Sequence, residues 1–139
     1  MSVAGKSDGD LLIVEDDQEF VEDLFAMWSP PLPVARASSG EEAFRYLQAG
    51  VPKLVLLDLN LPHYLAAADG AEGFEILSYI KTHVGADIPV IVITRENSAE
   101  TRSRAASLGA RDYFSKPLDV SDLERAVWNA IGERRRGSS

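Results

Sequence analysis

Short apolar runs alternate with stretches of helical periodicity along the whole chain, and this alternation limits the fold more than any other feature. Apolar runs between turn residues predict strands, whereas apolar residues three and four positions apart predict helices. Parallel strands need crossover connections, so the sequence predicts an α/β fold, an open, doubly wound, five-stranded parallel sheet with helices on both faces. The predicted strands are Leu11–Val14, Val34–Ala37, Leu54–Leu57, 89–93 and a short one at Tyr113 and Phe114.

Capping residues mark where the predicted helices begin. Ser39 with Glu42, and Ser121 with Glu124, have the spacing of a capping box, and Ser98 is expected to open the fourth helix. Apolar positions at helical spacing mark the first, second, third and fifth predicted helices. In that order they are Phe20, Val21, Leu24, Phe25 and Trp28; Ala43, Phe44 and Leu47; Phe74, Leu77, Ile80 and Val84; and Leu123, Val127, Trp128 and Ile131. The second, third and fourth helices are expected to end at Gly50, Gly85 and Gly109.

Composition excludes several classes of protein. The chain of 139 residues is 45% hydrophobic and 26% charged, as expected of one soluble globular domain, and it has no cysteine for disulfides, zinc-thiolate sites or a thiol nucleophile. Its apolar runs are far shorter than the ~20 residues that span a bilayer. The net charge of −8 argues against nucleic-acid binding, and the basic run 134–136 is expected to be a solvated helix end. We expect a cytoplasmic protein with a loose leader over 1–10, one domain over 11–132 and a polar tail over 133–139.

Polar residues follow four of the five predicted strands. Glu15 and Asp16 come after the first strand, Asp58 after the third, Thr94 ends the fourth and Lys116 follows the fifth. Taken singly, such residues could start a helix, form a turn, act as a cap or carry a surface charge. Because functional groups of open α/β sheets gather outside the carboxyl ends of the strands, their joint occurrence predicts one site.

The predicted acidic cluster requires a cation. Carboxylates of Glu15, Asp16 and Asp58 within ~4 Å of one another would repel by roughly 4 kcal/mol per pair at an effective dielectric near 20. An all-oxygen site with few protein ligands suits Mg²⁺ better than Ca²⁺, and the cluster has no histidine or cysteine for zinc. Asp17, in contrast, is expected to cap the first helix.

The same residue types suit phosphoryl transfer. A carboxylate such as that of Asp58 can attack a phosphoryl group and form an acyl phosphate. This reaction is catalysed mainly by cations and hydrogen-bond donors placed against the phosphoryl oxygens. Mg²⁺, the Lys116 ammonium and the Thr94 hydroxyl could each contact one of these oxygens.

Four segments in this order resemble the receiver domains of two-component response regulators: LIVEDD at 12–17, LVLLDLNLP at 54–62, PVIVIT at 89–94 and DYFSKP at 112–117. The resemblance extends over about residues 11–131. It implies a flavodoxin-like sheet with the strand order 2-1-3-4-5. It also implies a Mg²⁺-dependent switch that receives a phosphoryl group from a sensor histidine kinase or a histidine phosphotransfer protein. The switch would change the face made by the fourth and fifth helices, which would bind a downstream protein or effector domain, or a second copy of the chain. The domain itself would contact neither nucleic acid nor membrane.

The resemblance implies a role for each matching position. The phosphoacceptor would be Asp58; the metal ligands Glu15, Asp16, Asp58 and the backbone carbonyl of Asn60, with Asp16 the more direct contact of the acidic pair; the phosphoryl contacts Thr94 and Lys116; and the switch residue Tyr113. Tyr113 would turn inward when Thr94 is drawn to the phosphoryl group. The alternative is that Tyr113 is an ordinary half-buried strand residue.

Two features depart from the family pattern. Residues 63–72 lengthen the connection after the third strand, and they could form an extra helical turn or partner surface, or a passive surface excursion; His63 is expected to be a loop residue. Arg95 stands after Thr94, where the family usually has a small residue. Arg95 could narrow access to Asp58 or add a contact to the phosphoryl group.

Two other functions are compatible with parts of this pattern. An aspartate-nucleophile phosphohydrolase uses similar chemistry, but it usually has a second aspartate two residues after the nucleophile, where this chain has Asn60. A phosphorylation-independent interaction module could keep the fold alone, although all the site residues are present. The receiver function, in which the chain is regulatory and at most catalyses its own phosphorylation and dephosphorylation, accounts for more of the sequence.

Overall fold

The protein was analysed as a computed structural model that describes residues 9–61 and 71–137, with side chains for 9–61 and 73–132. A five-stranded parallel sheet has the order β2-β1-β3-β4-β5, which confirms both the predicted architecture and the implied strand order. The strands are β1 Leu11–Val14, β2 Val34–Ala37, β3 Leu54–Leu57, β4 Val90–Thr94 and β5 Asp112–Ser115. The helices are α1 Gln18–Met27, α2 Gly40–Ala49, α3 Ala71–Tyr79 with a π-helical turn Ile80–Val84, α4 Ala99–Ser107 and α5 Val120–Gly137.

Apolar residues on the two faces of the sheet form two separate cores. Leu11 and Ile13 of β1 pack with α1 and α5 on one face, and Leu12 and Val14 pack with α2, α3 and α4 on the other. Successive strand residues point to opposite faces, so a strand covered on both sides must be apolar at every position. This explains why β1, β3 and most of β4 are unbroken apolar runs.

Three of the predicted helix starts have a hydrogen bond to the expected capping side chain. Asp17 caps α1, because its Oδ1 accepts a hydrogen bond from the Phe20 amide at 3.1 Å. Ser39 caps α2 and accepts from the Glu42 amide at 3.2 Å. The reciprocal half of the capping box differs, since the Glu42 carboxylate accepts from the Ser38 amide and not from that of Ser39. Ser98 likewise caps α4, as predicted.

The prediction for the start of α5 was wrong. Ser121 lies inside this helix, which begins at Val120, and Asp119 accepts the Ser121 amide on its side chain at 2.8 Å. Trp128 was also assigned wrongly to the apolar stripe, since it is 51% exposed. Adjacent helical residues differ by about 100° around the axis, so Trp128 turns outward when its neighbour faces the sheet. The buried residues of the stripe are Leu123, Val127 and Ile131.

The remaining boundaries agree closely with the sequence. Pairing in β4 begins one residue later than predicted, because Pro89 has no amide proton and contributes only its carbonyl, which accepts from Val55 at 3.0 Å. Gly50 and Gly85 follow α2 and the π-helical turn, and Gly109 follows α4 with a φ of 103°. Among the described helices, none is long and apolar enough to cross a bilayer.

Three predictions fall partly or wholly outside the described residues. The leader is described only from residue 9, and positions 62–70 of the lengthened connection, including His63, are not described. The predicted tail over 133–139 is described only as backbone and only to Gly137, where α5 ends. The domain boundaries therefore stay predictions.

Candidate functional site

Three carboxylates converge at the carboxyl ends of β1 and β3. Oxygen atoms of Glu15, Asp16 and Asp58 all lie within 4.8 Å of one another, with Glu15 and Asp58 buried and Asp16 exposed. The sheet fixes this arrangement, because the Asp58 amide donates to the Val14 carbonyl at 3.0 Å and the Glu15 amide to the Ala37 carbonyl at 2.9 Å. The predicted acidic cluster is therefore present, and it is anchored by strand hydrogen bonds.

Lys116 supplies the cation that faces these acids. Its Nζ lies 2.5 Å from Glu15 Oε1 and 3.1 Å from Asp58 Oδ2, and its side chain is 8% exposed. Its amide donates to the Thr94 carbonyl at 2.8 Å, which extends the pairing of β4 with β5. The Phe20 ring lies 4.2 Å from the ammonium, a distance that permits a cation–π interaction. The buried ammonium therefore joins the ends of three strands.

Burial and mutual charge shift the pKa values of this cluster. Burial, with the negative charge of Asp58 as the next cause, raises the pKa of Glu15 to about 7. Burial alone would lower the pKa of Lys116, but its hydrogen bond with Glu15 and the charge of Asp58 outweigh this, so the pKa of Lys116 is raised. Lys116 is therefore charged at neutral pH, whereas Glu15 in the cation-free cluster is partly protonated there.

The acidic cluster lines a small polar pocket of about 200 Å³. The Asn60 amide donates to Asp58 Oδ1 at 2.9 Å, and Asn60 also lines the pocket. The three acids offer carboxylate oxygens, which are ligands that Mg²⁺ prefers. The volume is enough for several waters at about 30 Å³ each. The residues fit a partly hydrated Mg²⁺ ion. The lining residues are Glu15, Asp16, Asp17, Asp58, Asn60, Arg95 and Lys116.

Thr94 and Tyr113 lie outside this lining and share a contact with the loop between β4 and α4. Thr94 is fully buried, and its Oγ1 accepts from the Glu96 amide at 3.4 Å. The hydroxyl of the half-buried Tyr113 donates to the Glu96 carbonyl at 2.7 Å, and the Arg102 guanidinium lies 4.6 Å from the Tyr113 ring centroid. The two predicted residues are therefore connected through one loop residue.

An apolar groove of about 530 Å³ lies beside the pocket, between α1 and the connection from β5 to α5. Met27 is 70% exposed here, and Arg95 and Lys116 line both the groove and the pocket. Nη2 of Arg95 lies 3.5 Å from Asp17 Oδ2. The other lining residues are Asp17, Phe20, Asp23, Leu24, Pro117, Leu118 and Val120.

Sequence reasoning missed two contributors to the site. Arg36 of β2 donates from Nη2 to the Glu15 carbonyl at 2.9 Å and also contacts Gln18, so it holds the start of the loop after β1. Its charge inside a short strand was a usable signal, because most such positions are apolar. Phe20, beneath the Lys116 ammonium, carried no signal beyond its helical spacing.

Comparison with known proteins gives consistent results. The sequence model of the response regulator receiver domain matches residues 11–128. The transcriptional regulatory protein CiaR of Streptococcus pneumoniae is 30% identical over 84% of this chain and 49% of its own length, and KdpE of Staphylococcus aureus is 32% identical over 84% and 47%. The chain therefore spans about half the length of these relatives.

Solved structures have the same fold. The receiver domain of a DNA-binding response regulator from Colwellia psychrerythraea is 31% identical with a TM-score of 0.72, covering 90% of this chain and 99% of that one. Two further receiver domains, below 25% identity, show the fold alone. One, from Methanospirillum hungatei, is 22% identical with a TM-score of 0.77 over 94% and 99%. The other, from a Pseudomonas aeruginosa sensor histidine kinase, was solved with magnesium in its active-site cleft, and is 23% identical with a TM-score of 0.68 over 91% and 99%.

Proposed function

This chain belongs to the response regulator receiver domains, the phosphoacceptor switches of two-component signalling, and we propose that it takes up its phosphoryl group on Asp58. One observation carries the assignment. The Asp58 carboxylate lies in a polar pocket, 3.1 Å from a buried ammonium and beside two further acids. This combination of a nucleophile with cations is what phosphoryl transfer to a carboxylate requires.

The proposed reaction is an in-line displacement. An oxygen of Asp58 bonds to phosphorus as the bond between phosphorus and the donor histidine nitrogen breaks, and the histidine leaves with the electron pair of that bond. Lys116 stabilises the charge on the phosphoryl oxygens, and the Thr94 hydroxyl donates to one of them. Mg²⁺, when bound, would neutralise charge on a phosphoryl oxygen, and its ligands would be Glu15, Asp16, Asp58 and the backbone carbonyl of Asn60.

The phosphodonor would dock in the apolar groove beside the pocket. The groove is continuous with the site, since Arg95 and Lys116 line both cavities. Exposed apolar side chains such as Met27 are suited to the apolar face of a helix that carries the phosphorylated histidine. We therefore propose a sensor histidine kinase or a histidine phosphotransfer protein as the donor. We also propose a cytoplasmic location for the chain.

Phosphorylation would reach a second surface through the loop between β4 and α4. When the Thr94 hydroxyl turns to the phosphoryl group, it gives up its contact with the Glu96 amide. The Glu96 carbonyl in turn holds Tyr113, so the loop and the tyrosine are expected to move together. The changed face, which includes α4 and β5, would bind a downstream protein, an effector domain or a second copy of the chain.

The chain is expected to catalyse only the gain and loss of its own phosphoryl group. Asn60, two residues after Asp58, has no carboxyl proton to give to a leaving group. Multiple turnover of phosphomonoesters is therefore not expected. A phosphorylation-independent role would be supported if no phosphoryl group were taken up at all.

Asp58→Asn tests the assignment directly. The wild-type chain should incorporate phosphate from a small acyl phosphate in the presence of Mg²⁺, and from kinases of the source organism. The variant should incorporate none, because the amide is a poor nucleophile. Asp122→Asn, made at an exposed aspartate of α5, is the matched control and should be labelled normally. Undiminished labelling of Asp58→Asn by intact-mass measurement would refute the proposal.

Met27→Glu separates docking from chemistry in the same assay. A charge in the groove should slow labelling by a kinase and leave labelling by the small donor unchanged. If a kinase labelled Met27→Glu and the wild-type chain at equal rates, the groove would not be the docking site. The assignment of Asp58 as the phosphoacceptor would be unaffected.

A further inference from the structure

Arg95 stands at the boundary between the polar pocket and the apolar groove. Its side chain is 74% exposed, yet it lines both cavities and lies 3.5 Å from the Asp17 carboxylate. Sequence reasoning left open whether Arg95 narrows access to Asp58 or contacts the phosphoryl group. Its position at the pocket, next to the buried Thr94, is compatible with both effects in one residue.

The contact between Arg95 and Asp17 is easily exchanged. A separation of 3.5 Å exceeds the ~2.7–2.9 Å of strong charge-assisted hydrogen bonds, and the Arg95 side chain is solvated. Asp17 also has another task, since its second oxygen caps α1 by accepting from the Phe20 amide. A phosphoryl group is a stronger partner, because its oxygens accept two parallel hydrogen bonds from one guanidinium.

On the basis of the function proposed above, we propose that Arg95 leaves Asp17 for the phosphoryl group on Asp58 and shields the acyl phosphate from water. Hydrolysis requires a water oxygen to bond to phosphorus as the bond between phosphorus and Asp58 breaks, which releases inorganic phosphate and restores the carboxylate. The water must approach on the side opposite Asp58, in line with the breaking bond. A guanidinium held on the phosphoryl oxygens at the pocket mouth obstructs this approach and prolongs the phosphorylated state.

The lifetime of the phosphorylated chain tests this inference. The full chain is labelled with a small acyl phosphate and Mg²⁺, the donor is removed, and the loss of phosphate is followed by intact mass. Arg95→Ala should lose phosphate about 1.5-fold to fivefold faster than wild type, the range expected for one exposed charge contact. Asp17→Asn should lose it more slowly, because asparagine still caps the helix but no longer competes for Arg95. Arg125→Ala, at an exposed arginine of α5, should match wild type.

Every outcome of this experiment is decisive. A lifetime of Arg95→Ala equal to or longer than that of wild type, or a lifetime of Asp17→Asn no longer than that of wild type, overturns the inference and leaves the proposed function intact. Mg²⁺ affinity, measured by calorimetry on the unphosphorylated variants, should not decrease with Arg95→Ala, because the substitution removes a positive charge from the pocket lining. A parallel loss of Mg²⁺ affinity would assign the shorter lifetime to the metal and would also overturn the inference. Absence of any label on wild type would instead overturn the proposed function.

Discussion

Glu15 combines full burial with two charged neighbours, Asp58 and Lys116. The folded chain holds the Glu15 proton up to about pH 7, whereas the group's ordinary pKa is 4.5. Between these values the folded state binds more protons than the unfolded state, so the free energy of unfolding decreases as the pH rises through this window. The raised pKa of Lys116 stabilises the folded chain across this window, and that contribution is lost only at much higher pH, where the ammonium loses its proton.

Glu15→Gln tests this pH dependence. Without Mg²⁺, the free energy of unfolding of the wild-type chain should fall by about 1 to 3 kcal/mol between pH 5 and pH 7 through this residue. Glutamine keeps the shape of the side chain and does not titrate, so the variant should show a flatter profile. Urea denaturation at several pH values measures the difference. Parallel profiles for the two proteins would mean that Glu15 has an ordinary pKa in the folded chain.

The elements show how far local sequence decides structure. Strand runs, the Asp17, Ser39 and Ser98 caps and the order of the site residues were all readable, because each depends on nearby residues or on strand ends meeting at one edge. The predicted capping box at Ser121 was wrong because α5 begins one residue earlier, at Val120. The Ser121 amide therefore donates to the side chain of Asp119. The charge of Arg36 is unusual within a strand, but its contact with Glu15 could not be predicted, since β2 and the loop after β1 meet only in the folded sheet.

Gly73 gives α3 a direct influence on the site. A Cβ at this position would lie 2.5 Å from the Cα of Leu59, the residue that follows Asp58. Gly73→Ala should therefore push α3 away from the backbone beside Asp58. We expect a loss of about 1 to 3 kcal/mol in the free energy of unfolding and slower labelling by the small acyl phosphate.

Ser78→Ala is the control for this helix, because it removes volume at a half-buried position of α3 and adds none. Chemical denaturation and labelling rates of the two variants provide the comparison. If Gly73→Ala were as stable and as reactive as wild type, the close approach of α3 to Leu59 would not constrain the site.

The proposed cation ligands lie close together only in the folded chain. Glu15 and Asp16 follow β1 and Asp58 follows β3, and the two apolar cores hold these strands in one sheet from opposite faces. The unfolded chain keeps no such cluster. A cation that binds only the folded state raises the free energy of unfolding by about 2.7 kcal/mol at one hundred times its Kd.

Mg²⁺ should therefore stabilise the wild-type chain, and it should stabilise Asp16→Asn much less, because the variant lacks one of the proposed ligands of the ion. Asp16 is exposed, so its replacement leaves the two cores intact. Urea denaturation can be followed through the buried Trp28 in a Trp128→Phe background, which removes the exposed indole. Circular dichroism should report the same midpoint, since both cores share one sheet and should unfold together. Asp122→Asn should gain as much from Mg²⁺ as wild type. An equal gain in Asp16→Asn would show that the ion binds elsewhere, and the acidic cluster would then have to be neutralised by Lys116 alone.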